Sequence, residues 1–550
     1  MLKRIHSKLK SPDGQSLGLL AIVGAFIMTF CSYTSPAFYF DTSPDNNAFF
    51  TVGKAMMNGI VPYKDIFEQK GPDVYFLHGL AYLVSSRSFL LIFVYEIATV
   101  TAAMFLVYKL AKLLRAKQLP ALLTALLSPL LFLYHPYYDY GDTVEFFTLP
   151  LLLSLIYLMV LLDRRQFKVS HWWFFAQGAI VGIVFLSKYT LLGAWIVFYL
   201  VVVGRLLVKR QWRLLGRVVG WSAGGFLLTT LPWLIYFLMT GALKAFINVY
   251  ILFNTKVYLT SSVAAFANLV QSVTLVSQFY WDNVLFFALG IVGTLVVIFQ
   301  PDIFHSRFGR GLYLASALGC DLLALYGYQA GSVYQYYQLI YFGFFVLPFI
   351  YFCQLFFRRV PLPQTDSEAT FPILATLLFS LFLVLGVNNN VTSSKVFPNN
   401  TSITERQTKR PQQPAQVDFG RQMRRDTPAG TRLTLLNYGS IDMGFYTASG
   451  AVPTTYFFQN YNIPQSAAPQ ILQSQRAVIQ RHQVEWVVLN TPAGKSVKQW
   501  QGGSGRITSG NLNPGTAKLS RVLTRHYRCV AQHTQVFEGV NVTYWLYQRK

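Results

Sequence analysis

Long apolar runs alternate with short polar segments over the first two thirds of the chain. Each run holds roughly 20 mostly apolar residues, the length that a helix needs to cross a hydrocarbon core of about 30 Å. The pattern predicts about eleven transmembrane helices, of which 172–188 and 190–208 form a tight hairpin or one kinked unit. The predicted spans are 17–38, 89–110, 119–135, 146–162, 172–188, 190–208, 217–238, 283–300, 311–328, 338–357 and 371–388.

The loop after the first predicted span is long and holds two shorter amphipathic segments. Residues 45–58 carry apolar side chains at helical spacing, and residues 73–86 form an apolar stretch that is too short to cross a bilayer. Gly59 marks the end of the first segment, and Gly71 and Pro72 interrupt the link to the second. We expect two helices that lie on the outer membrane face.

The apolar runs stop at residue 388, and the composition then becomes polar. Residues 389–430 are rich in Asn, Thr, Gln and Arg, which predicts a linker between the membrane domain, 1–388, and a second domain, 431–550. In the second domain, short β-patterned runs near 433–436, 484–489 and 542–547 alternate with helical stretches near 468–482 and 516–527. This pattern predicts a small α/β domain.

Composition and charge placement support a membrane protein. The chain is 53% hydrophobic and 12% charged, whereas soluble domains carry about a quarter charged residues. Its net charge of +24 is spread over alternate loops instead of one basic motif, which argues against a nucleic-acid partner. By the positive-inside rule, the N-terminus is cytoplasmic and the C-terminal domain is outside. The four cysteines show neither a disulfide framework nor metal-site spacing.

Acidic residues are scarce, yet several follow the first predicted span. Asp41 and Asp45 precede the first surface segment, and Asp65, Glu68 and Lys70 lie in the link. A charged side chain at a membrane boundary is energetically costly unless water solvates it or it has a functional role. This stretch is therefore the best candidate for a catalytic site. Two structural alternatives stay open: Asp45 stabilises the start of a helix, or the link carries a solvated salt-bridge network. Lys70 either holds a phosphate or pairs with Glu68.

A second group of charged residues lies at the predicted outer ends of later spans. Asp142 and Glu145 precede the fourth span, where they orient an acceptor, hold a divalent cation with Asp45, or simply start the helix. A metal site needs more oxygen ligands than this pair supplies. Lys188 ends the fifth span, where it reaches toward lipid headgroups or neutralises a lipid phosphate.

The first loop resembles that of the GT-C superfamily of integral membrane glycosyltransferases, especially the bacterial branch related to protein mannosyltransferases and lipid A aminoarabinose transferases. The matching features are Asp45 after the first helix, Gly59 at the end of the surface helix, and the run Pro62-Tyr-Lys-Asp-Ile-Phe-Glu-Gln-Lys-Gly-Pro72. Weaker similarity continues through 141–152, 178–189 and 437–453. Where many members carry a His-Tyr pair, this chain has Tyr334-Gln335-Tyr336-Tyr337.

The resemblance implies transfer of a sugar from a polyprenyl phosphate to an acceptor hydroxyl outside a bacterial cell membrane, with inversion. In this reading Asp45 is the base, with Asp41 as the alternative. The donor and acceptor are held by residues from both charged groups and from the late loop. These are Asp65, Glu68, Lys70, Asp142, Glu145, Lys188, Gln335, Tyr336 and Tyr337. The resemblance implies no nucleotide-binding fold and no certain cofactor, and a divalent cation stays open.

The acceptor expected from this resemblance is an envelope glycan, a teichoic acid or a protein, and the basic C-terminal domain also favours anionic lipid headgroups or wall polymers. Two other functions fit a chain with many membrane helices. One is a transporter or flippase of lipid-linked sugars, and the other is a noncatalytic envelope-assembly protein. Transporters place charges near the bilayer midplane and show internal repeats, whereas here the acids cluster near helix ends and no repeat is evident.

Overall fold

The computed structural model describes residues 11–139, 141–258, 283–326, 334–363, 369–397, 413–461, 468–497, 506–508, 511–512, 517–537 and 540–550, with a few positions between 270 and 281. Within these ranges, seven helices are long and apolar enough to cross a membrane, and three further apolar helices are shorter. The chain is therefore a multi-pass helical membrane protein. How many of these helices cross the bilayer stays a prediction.

The α-helices of six or more residues are numbered in chain order. They are α1 Pro12–Cys31, α2 Pro44–Met57, α3 Pro72–Val84, α4 Leu90–Leu113, α5 Gln118–Leu127, α6 Val144–Arg164, α7 Trp172–Lys188, α8 Gly193–Val208, α9 Trp212–Met239, α10 Val284–Phe299, α11 Arg307–Tyr326, α12 Val346–Arg359, α13 Thr370–Asn388, α14 Ala415–Asp426, α15 Gly444–Ser449, α16 Gln470–Gln480 and α17 Ala517–His526. A π-helix, Ile247–Tyr258, lies between α9 and α10. The strands are β1 Leu435–Asn437, β2 Trp486–Pro492, β3 Arg506–Thr508, β4 Asn511–Leu512, β5 Tyr527–Phe537 and β6 Val540–Arg549.

Each predicted apolar span contains a helix, but several ends differ. The helix α1 stops at Cys31, seven residues before the predicted end of its span. Ser32, Thr34 and Ser35 follow it. The Ser32 and Thr34 hydroxyls hydrogen-bond each other, and the Ser32 and Ser35 hydroxyls accept from the backbone N–H groups of Thr34 and Ala37. Such local bonds compete with helix propagation, which explains the early end. The predicted hairpin at 172–208 consists of α7, a 3₁₀ turn Tyr189–Leu191, and α8.

The chain divides into two compact units. The first contains residues 1–31, 94–236 and 259–389, and most of the long apolar helices lie in it. Within this unit, α8 and α11 approach so closely that a Cβ on Gly193 would lie 2.0 Å from the carbonyl oxygen of Gly319. The helix α6 is the most buried of the seven long apolar helices and lies at the centre of the packing.

The second unit contains residues 32–93, 237–258 and 390–550, so the first loop and the C-terminal region belong to one compact body. The helices α2 and α3 confirm the two short helices predicted in the first loop. They pack through small residues, since a Cβ on Gly53 would lie 2.4 Å from the backbone nitrogen of Gly79. Gly59, with φ of +82°, follows the end of α2, as its position in the sequence predicted.

The C-terminal region of this unit is built around a four-stranded sheet with the strand order β1-β2-β6-β5. The strands β1 and β2 are parallel, and the other neighbours are antiparallel. Val542, Tyr544 and Leu546 alternate inward along β6 and are fully buried. The predicted strands and helices of the α/β domain are present, and β5 is an additional strand that the sequence pattern did not reveal.

The region predicted as a linker also contains an ordered helix. Residues Ala415–Asp426 form α14, which buries Ala415, Phe419 and Met423 along one face. These three residues repeat every four positions, but the many polar residues between them hide the pattern. Residues 398–412 of the predicted linker lie outside the described part of the chain.

Candidate active site

The candidate residues fall into two groups, one in each unit. We name Asp41, Asp45, Asp65, Glu68 and Lys70 in the second unit the first-loop cluster. We name Asp142, Glu145, Lys188, Tyr336 and Tyr337 in the first unit the second-loop cluster, and Gln335 precedes its two tyrosines.

Asp41 and Asp45 have different environments at the start of α2. Asp41 is 2% exposed, and its carboxylate accepts hydrogen bonds from Ser43 N at 2.8 Å and from the side-chain amide of Asn46. Ser43 is the N-cap of α2, because its hydroxyl accepts a hydrogen bond from Asn46 N at 3.3 Å. Asp45 is half-buried in the first helical turn. Asp41 therefore shapes the start of the helix, and Asp45 is not the cap.

A tight turn in the link between α2 and α3 explains the position of Asp65. Its carboxylate accepts a hydrogen bond from Val61 N at 2.9 Å, and its own N–H donates to Val61 O at 2.9 Å. Tyr63, inside this turn, is 1% exposed and has a φ of +68°. A positive φ is costly for a residue with a side chain, so the surrounding contacts must hold Tyr63 there. Asp65 is exposed and stabilises the turn.

Glu68 is buried, although its neighbours suggested a solvated charge network. It is 6% exposed and accepts hydrogen bonds from Tyr75 OH and from the Lys70 backbone N–H, the latter at 2.9 Å. Burial raises the pKa of the Glu68 carboxyl, while nearby Lys70 opposes that change. The Lys70 ammonium lies 5.8 Å from the centre of the Phe49 ring. The Lys70 backbone carbonyl accepts a hydrogen bond from Tyr63 OH at 2.7 Å. Glu68 and the two tyrosines thus hold the Lys70 backbone in one position.

The C-terminal region contacts the link through an aromatic cluster around Phe67. The Phe67 ring lies 4.9 to 5.9 Å from the ring centres of Tyr456, Phe457 and Tyr461. Phe67 N donates to Tyr456 O at 2.9 Å, and Tyr461 OH donates to Phe67 O. Phe67 is the residue next to Glu68. The segment around 456–461, which the sequence did not identify as part of the site, therefore supports the Glu68 backbone.

Lys54 forms a second contact between α2 and the C-terminal region. Its side chain is fully buried, and its Nζ donates to Tyr446 O in α15 at 2.6 Å. Within the described part of the chain, no carboxylate forms a salt bridge with it. Burial lowers the pKa of Lys54 from its ordinary value of 10.5 to about 7.

This shift predicts a pH-dependent stability. Between about pH 7 and pH 10.5, the unfolded chain binds more protons at Lys54 than the folded chain does, so the free energy of unfolding rises with pH. We expect Lys54→Met to flatten this rise and to raise the unfolding midpoint near pH 7. The measurement is thermal unfolding of the purified protein at several pH values.

Lys64→Met is the matched control, because it removes an exposed ammonium of the same loop that donates to Thr240 O at 2.8 Å. Parallel pH curves for wild type and Lys54→Met would show that Lys54 stays charged in the folded protein.

Backbone geometry defines the start of the second-loop cluster. Gly141 has a φ of +115°, and Thr143 is the N-cap of α6, accepting a hydrogen bond from Phe146 N at 3.2 Å. Asp142, between them, is 4% exposed. Because Thr143 caps the helix, neither Asp142 nor Glu145 is its side-chain N-cap.

The structure brings Glu145, Lys188 and Tyr337 together. Glu145, in the first turn of α6, forms a salt bridge with Lys188 at the end of α7. The side chains are 2% and 17% exposed, respectively. The Lys188 ammonium also lies 3.8 Å from the centre of the Tyr337 ring, a cation–π contact. Glu145 and Tyr337 together fix the position of the Lys188 ammonium at the end of α7.

The remaining late-loop residues begin a 3₁₀ stretch, Gln335–Phe345. Tyr336 packs edge-on against Tyr337 with ring centres 4.7 Å apart, and Gln335 is half-buried. Gln338, which the sequence did not mark, is fully buried with neither amide atom hydrogen-bonded to a described residue. Buried amides without partners are rare, so Gln338 is a further candidate for a contact with a bound molecule.

Metal-ligating residues are not gathered in the part of the chain described here: no group of three or more His, Cys, Asp or Glu lies close enough to hold an ion. Ca²⁺ and Mg²⁺ usually take six or more oxygen ligands. A role for such a cation at Asp45, Asp142 and Glu145 stays a hypothesis.

No protein-family model matches the chain, and no curated protein matches its sequence. Among solved structures, ArnT from Cupriavidus metallidurans bound to undecaprenyl phosphate matches with a TM-score of 0.55 and 13% identity over 96% of this chain and 97% of that chain. The apo state of the same protein matches over the same shares with a TM-score of 0.56 and 12% identity. An archaeal oligosaccharyltransferase, AglB from Archaeoglobus fulgidus, gives a TM-score of 0.46 at 12% identity over 88% and 70% of the two chains.

The likeness to ArnT extends over nearly the full length of both chains. ArnT is a GT-C glycosyltransferase, so the resemblance seen in the first loop is confirmed at the level of the fold. The chain has the GT-C membrane fold.

Proposed function

We propose that this protein is a membrane glycosyltransferase that moves a sugar from a polyprenyl phosphate to an acceptor hydroxyl outside the cell. The observation that carries the proposal is the fold shared along the whole chain with ArnT, one structure of which contains undecaprenyl phosphate. The two clusters supply the kinds of groups that this reaction requires. Fold alone does not define function, so the residues must carry the rest of the argument.

In the proposed reaction, the acceptor oxygen attacks the anomeric carbon of the sugar. The bond between that carbon and the phosphate oxygen breaks, polyprenyl phosphate leaves, and the hydroxyl proton passes to a base. A single displacement of this kind inverts the anomeric centre. It needs one carboxylate near the acceptor and positive groups around the departing phosphate.

We assign the base to Asp45, which matches the acidic position of the resemblance and lies half-buried in the first turn of α2, with Asp41 as the alternative. Lys70 and Lys188 are the two candidates for the cation that binds the departing phosphate. Each is held in place, Lys70 by the hydrogen bonds to its backbone and Lys188 by Glu145 and Tyr337. Groups that are positioned before the substrate binds need little reorganisation during the reaction.

The remaining candidates serve the substrates in less direct ways. Glu68 and Asp65 shape the link that carries Lys70, and Glu145 positions Lys188. Tyr336, Tyr337 and Gln335 are proposed to contact the sugar, since aromatic faces and amides suit a ring with hydroxyl groups. The acceptor is proposed to be an envelope glycan, a teichoic acid or a protein, and the C-terminal domain is proposed to lie outside.

The test uses the purified full chain in lipid nanodiscs with a panel of radiolabelled undecaprenyl-phosphate-linked hexoses and pentoses. Envelope polymers from a strain that lacks the protein serve as acceptors. We expect the label of one donor to move to the polymer with release of undecaprenyl phosphate. NMR of the product linkage reports whether the anomeric centre inverts.

Two outcomes would contradict the proposal. Movement of the intact labelled lipid across a sealed vesicle membrane, without cleavage, would indicate a flippase. An unchanged envelope glycan composition after loss of the protein, together with no cleavage of any donor, would indicate a noncatalytic role.

A further inference from the structure

A large basic cavity lies in the first unit, at the helix ends whose loops carry the predicted cytoplasmic Lys and Arg. Its volume is about 1380 Å³, and the ends of α6, α8, α9 and α11 form its walls. We name it the basic cavity. Six cations line it: Arg164, Lys168, Arg205, Arg210, Arg213 and Arg217.

The positive charge of the basic cavity is nearly uncompensated. Asp163 is the acidic residue in its lining, and its carboxylate accepts hydrogen bonds from His305 N at 2.6 Å and Ser306 N at 3.1 Å. Within the described residues, none of the six cations forms a salt bridge with a carboxylate. Like charges gathered in a concave site raise the local concentration of anions.

Two of the arginines are held in place by neighbouring groups. The Arg205 guanidinium lies 3.9 Å from the centre of the Phe308 ring and 5.2 Å from that of Phe167. Arg164 donates from Nη2 to Asp302 O at 2.6 Å, while its Nε is buried without a hydrogen-bond partner among the described residues. A guanidinium held between rings keeps its N–H groups available for a planar or tetrahedral oxyanion.

Two helix ends in the walls of the basic cavity have ordinary C-terminal turns. Gln166 and Arg210 follow α6 and α8 with φ values of +49° and +53°. Phe167 N donates to Leu162 O at 3.1 Å, and Gln211 N donates to Leu206 O at 2.9 Å. These bonds satisfy late carbonyls of both helices and fix the backbone beside the cations.

Apolar side chains line the basic cavity beside the cations. Leu162, Val169, Phe174 and Leu214 contribute to its walls, and Trp212, which is 61% exposed, lies in its lining at the start of α9. Tryptophan at a helix end is typical of the interface between headgroups and acyl chains. A small inorganic anion has no apolar part to contact these walls. A phospholipid does, because its phosphate lies next to its glycerol and acyl chains.

We propose that the basic cavity binds the phosphate headgroup of an anionic phospholipid from the cytoplasmic leaflet. This site is separate from the proposed glycosyl transfer, and its test does not depend on that activity. Basic cavities between membrane helices on the cytoplasmic side recognise anionic lipid headgroups by the same chemistry. The shared ligand chemistry is a phosphate monoanion or dianion, and the phospholipid is the source that the apolar walls favour.

The experiment titrates phosphatidylglycerol into the purified full chain in neutral detergent and measures the bound fraction by native mass spectrometry. Arg213→Gln/Arg217→Gln removes two exposed cations of the basic cavity. We expect roughly thirtyfold weaker binding, since each basic residue near an anionic lipid contributes about a fivefold gain. Arg358→Gln/Arg359→Gln is the matched control, because it removes two exposed arginines from the end of α12, on the same predicted side.

Three results would overturn the proposal. Equal weakening in both double variants would show a general attraction between lipid and basic loops. Competition by soluble glycerol 1-phosphate at concentrations similar to those of the lipid would show a site for soluble anions. Equal binding of phosphatidylcholine and phosphatidylglycerol would show no recognition of charge. Thermal unfolding in neutral detergent confirms that the variants are folded.

Discussion

Asp45→Asn is expected to reduce glycosyl transfer by roughly 10²–10⁴-fold, the usual contribution of a positioned general base. Asparagine has nearly the same size and keeps the hydrogen-bonding shape, but it cannot take the proton from an acceptor hydroxyl. Asp45 is half-buried, and Ser43 already caps α2, so the substitution should leave the helix start intact. The readout is the initial rate of label transfer from the donor that wild type uses.

Asp41→Asn and Asp65→Asn are the matched comparisons, because both are carboxylates of the same loop. Asp41 accepts from Ser43 N and the Asn46 amide, so its loss is expected to lower the free energy of unfolding by about 1–3 kcal/mol. Asp65 is exposed, and Asp65→Asn is expected to have a small effect on both rate and stability. Full transfer activity in Asp45→Asn would exclude Asp45 as the base.

The affinity of the Asp45 variant for the lipid phosphate distinguishes a catalytic base from a residue that binds the donor. Asp45→Asn is expected to retain the wild-type affinity for undecaprenyl phosphate, because a base acts on the acceptor and not on the lipid. A loss of affinity that equals the loss of rate would place Asp45 in donor binding instead.

The membrane helices were predictable because each depends on local composition. An apolar run of sufficient length is a signal within one segment, and the surface helices α2 and α3 follow from periodicity within one loop. The helix α14 and the strand β5 were missed because their polar residues outnumber the few that face the core. Their structure depends on partners elsewhere: β5 pairs along its length with β6, and α14 donates from Ala415 N to Gln535 in β5.

The candidate residues were predictable one by one, but their partners were not. Glu145 and Lys188 were separate hypotheses in the sequence, and only the packing of α6 against α7 joins them. For Glu68 the sequence left two alternatives open, a substrate contact or a solvated salt-bridge network, because its neighbours in sequence are charged. Its burial comes from Tyr75 and from the aromatic cluster around Phe67, whose members Tyr456 and Tyr461 lie almost 400 residues away. Contacts at that separation leave no periodic signal in a single sequence.

Lys188→Met is expected to lower the free energy of unfolding by about 3–5 kcal/mol, because it leaves the buried Glu145 carboxylate without its cation. Glu145→Gln/Lys188→Met removes both charges and is expected to recover most of this loss, since neither residue is then an unpaired buried charge. The measurement is thermal and denaturant unfolding of the single and double variants. Lys244→Met, which removes an exposed lysine, is expected to leave stability unchanged.

The same double variant separates a structural from a functional role of Lys188. If Lys188 holds the donor phosphate, the double variant folds but transfers sugar at least tenfold more slowly, because a charge-assisted hydrogen bond contributes about 1.5–3 kcal/mol. The loss should also appear as weaker binding of undecaprenyl phosphate. If transfer instead recovers together with stability, Lys188 serves only to neutralise Glu145, and Lys70 becomes the leading candidate for the phosphate contact.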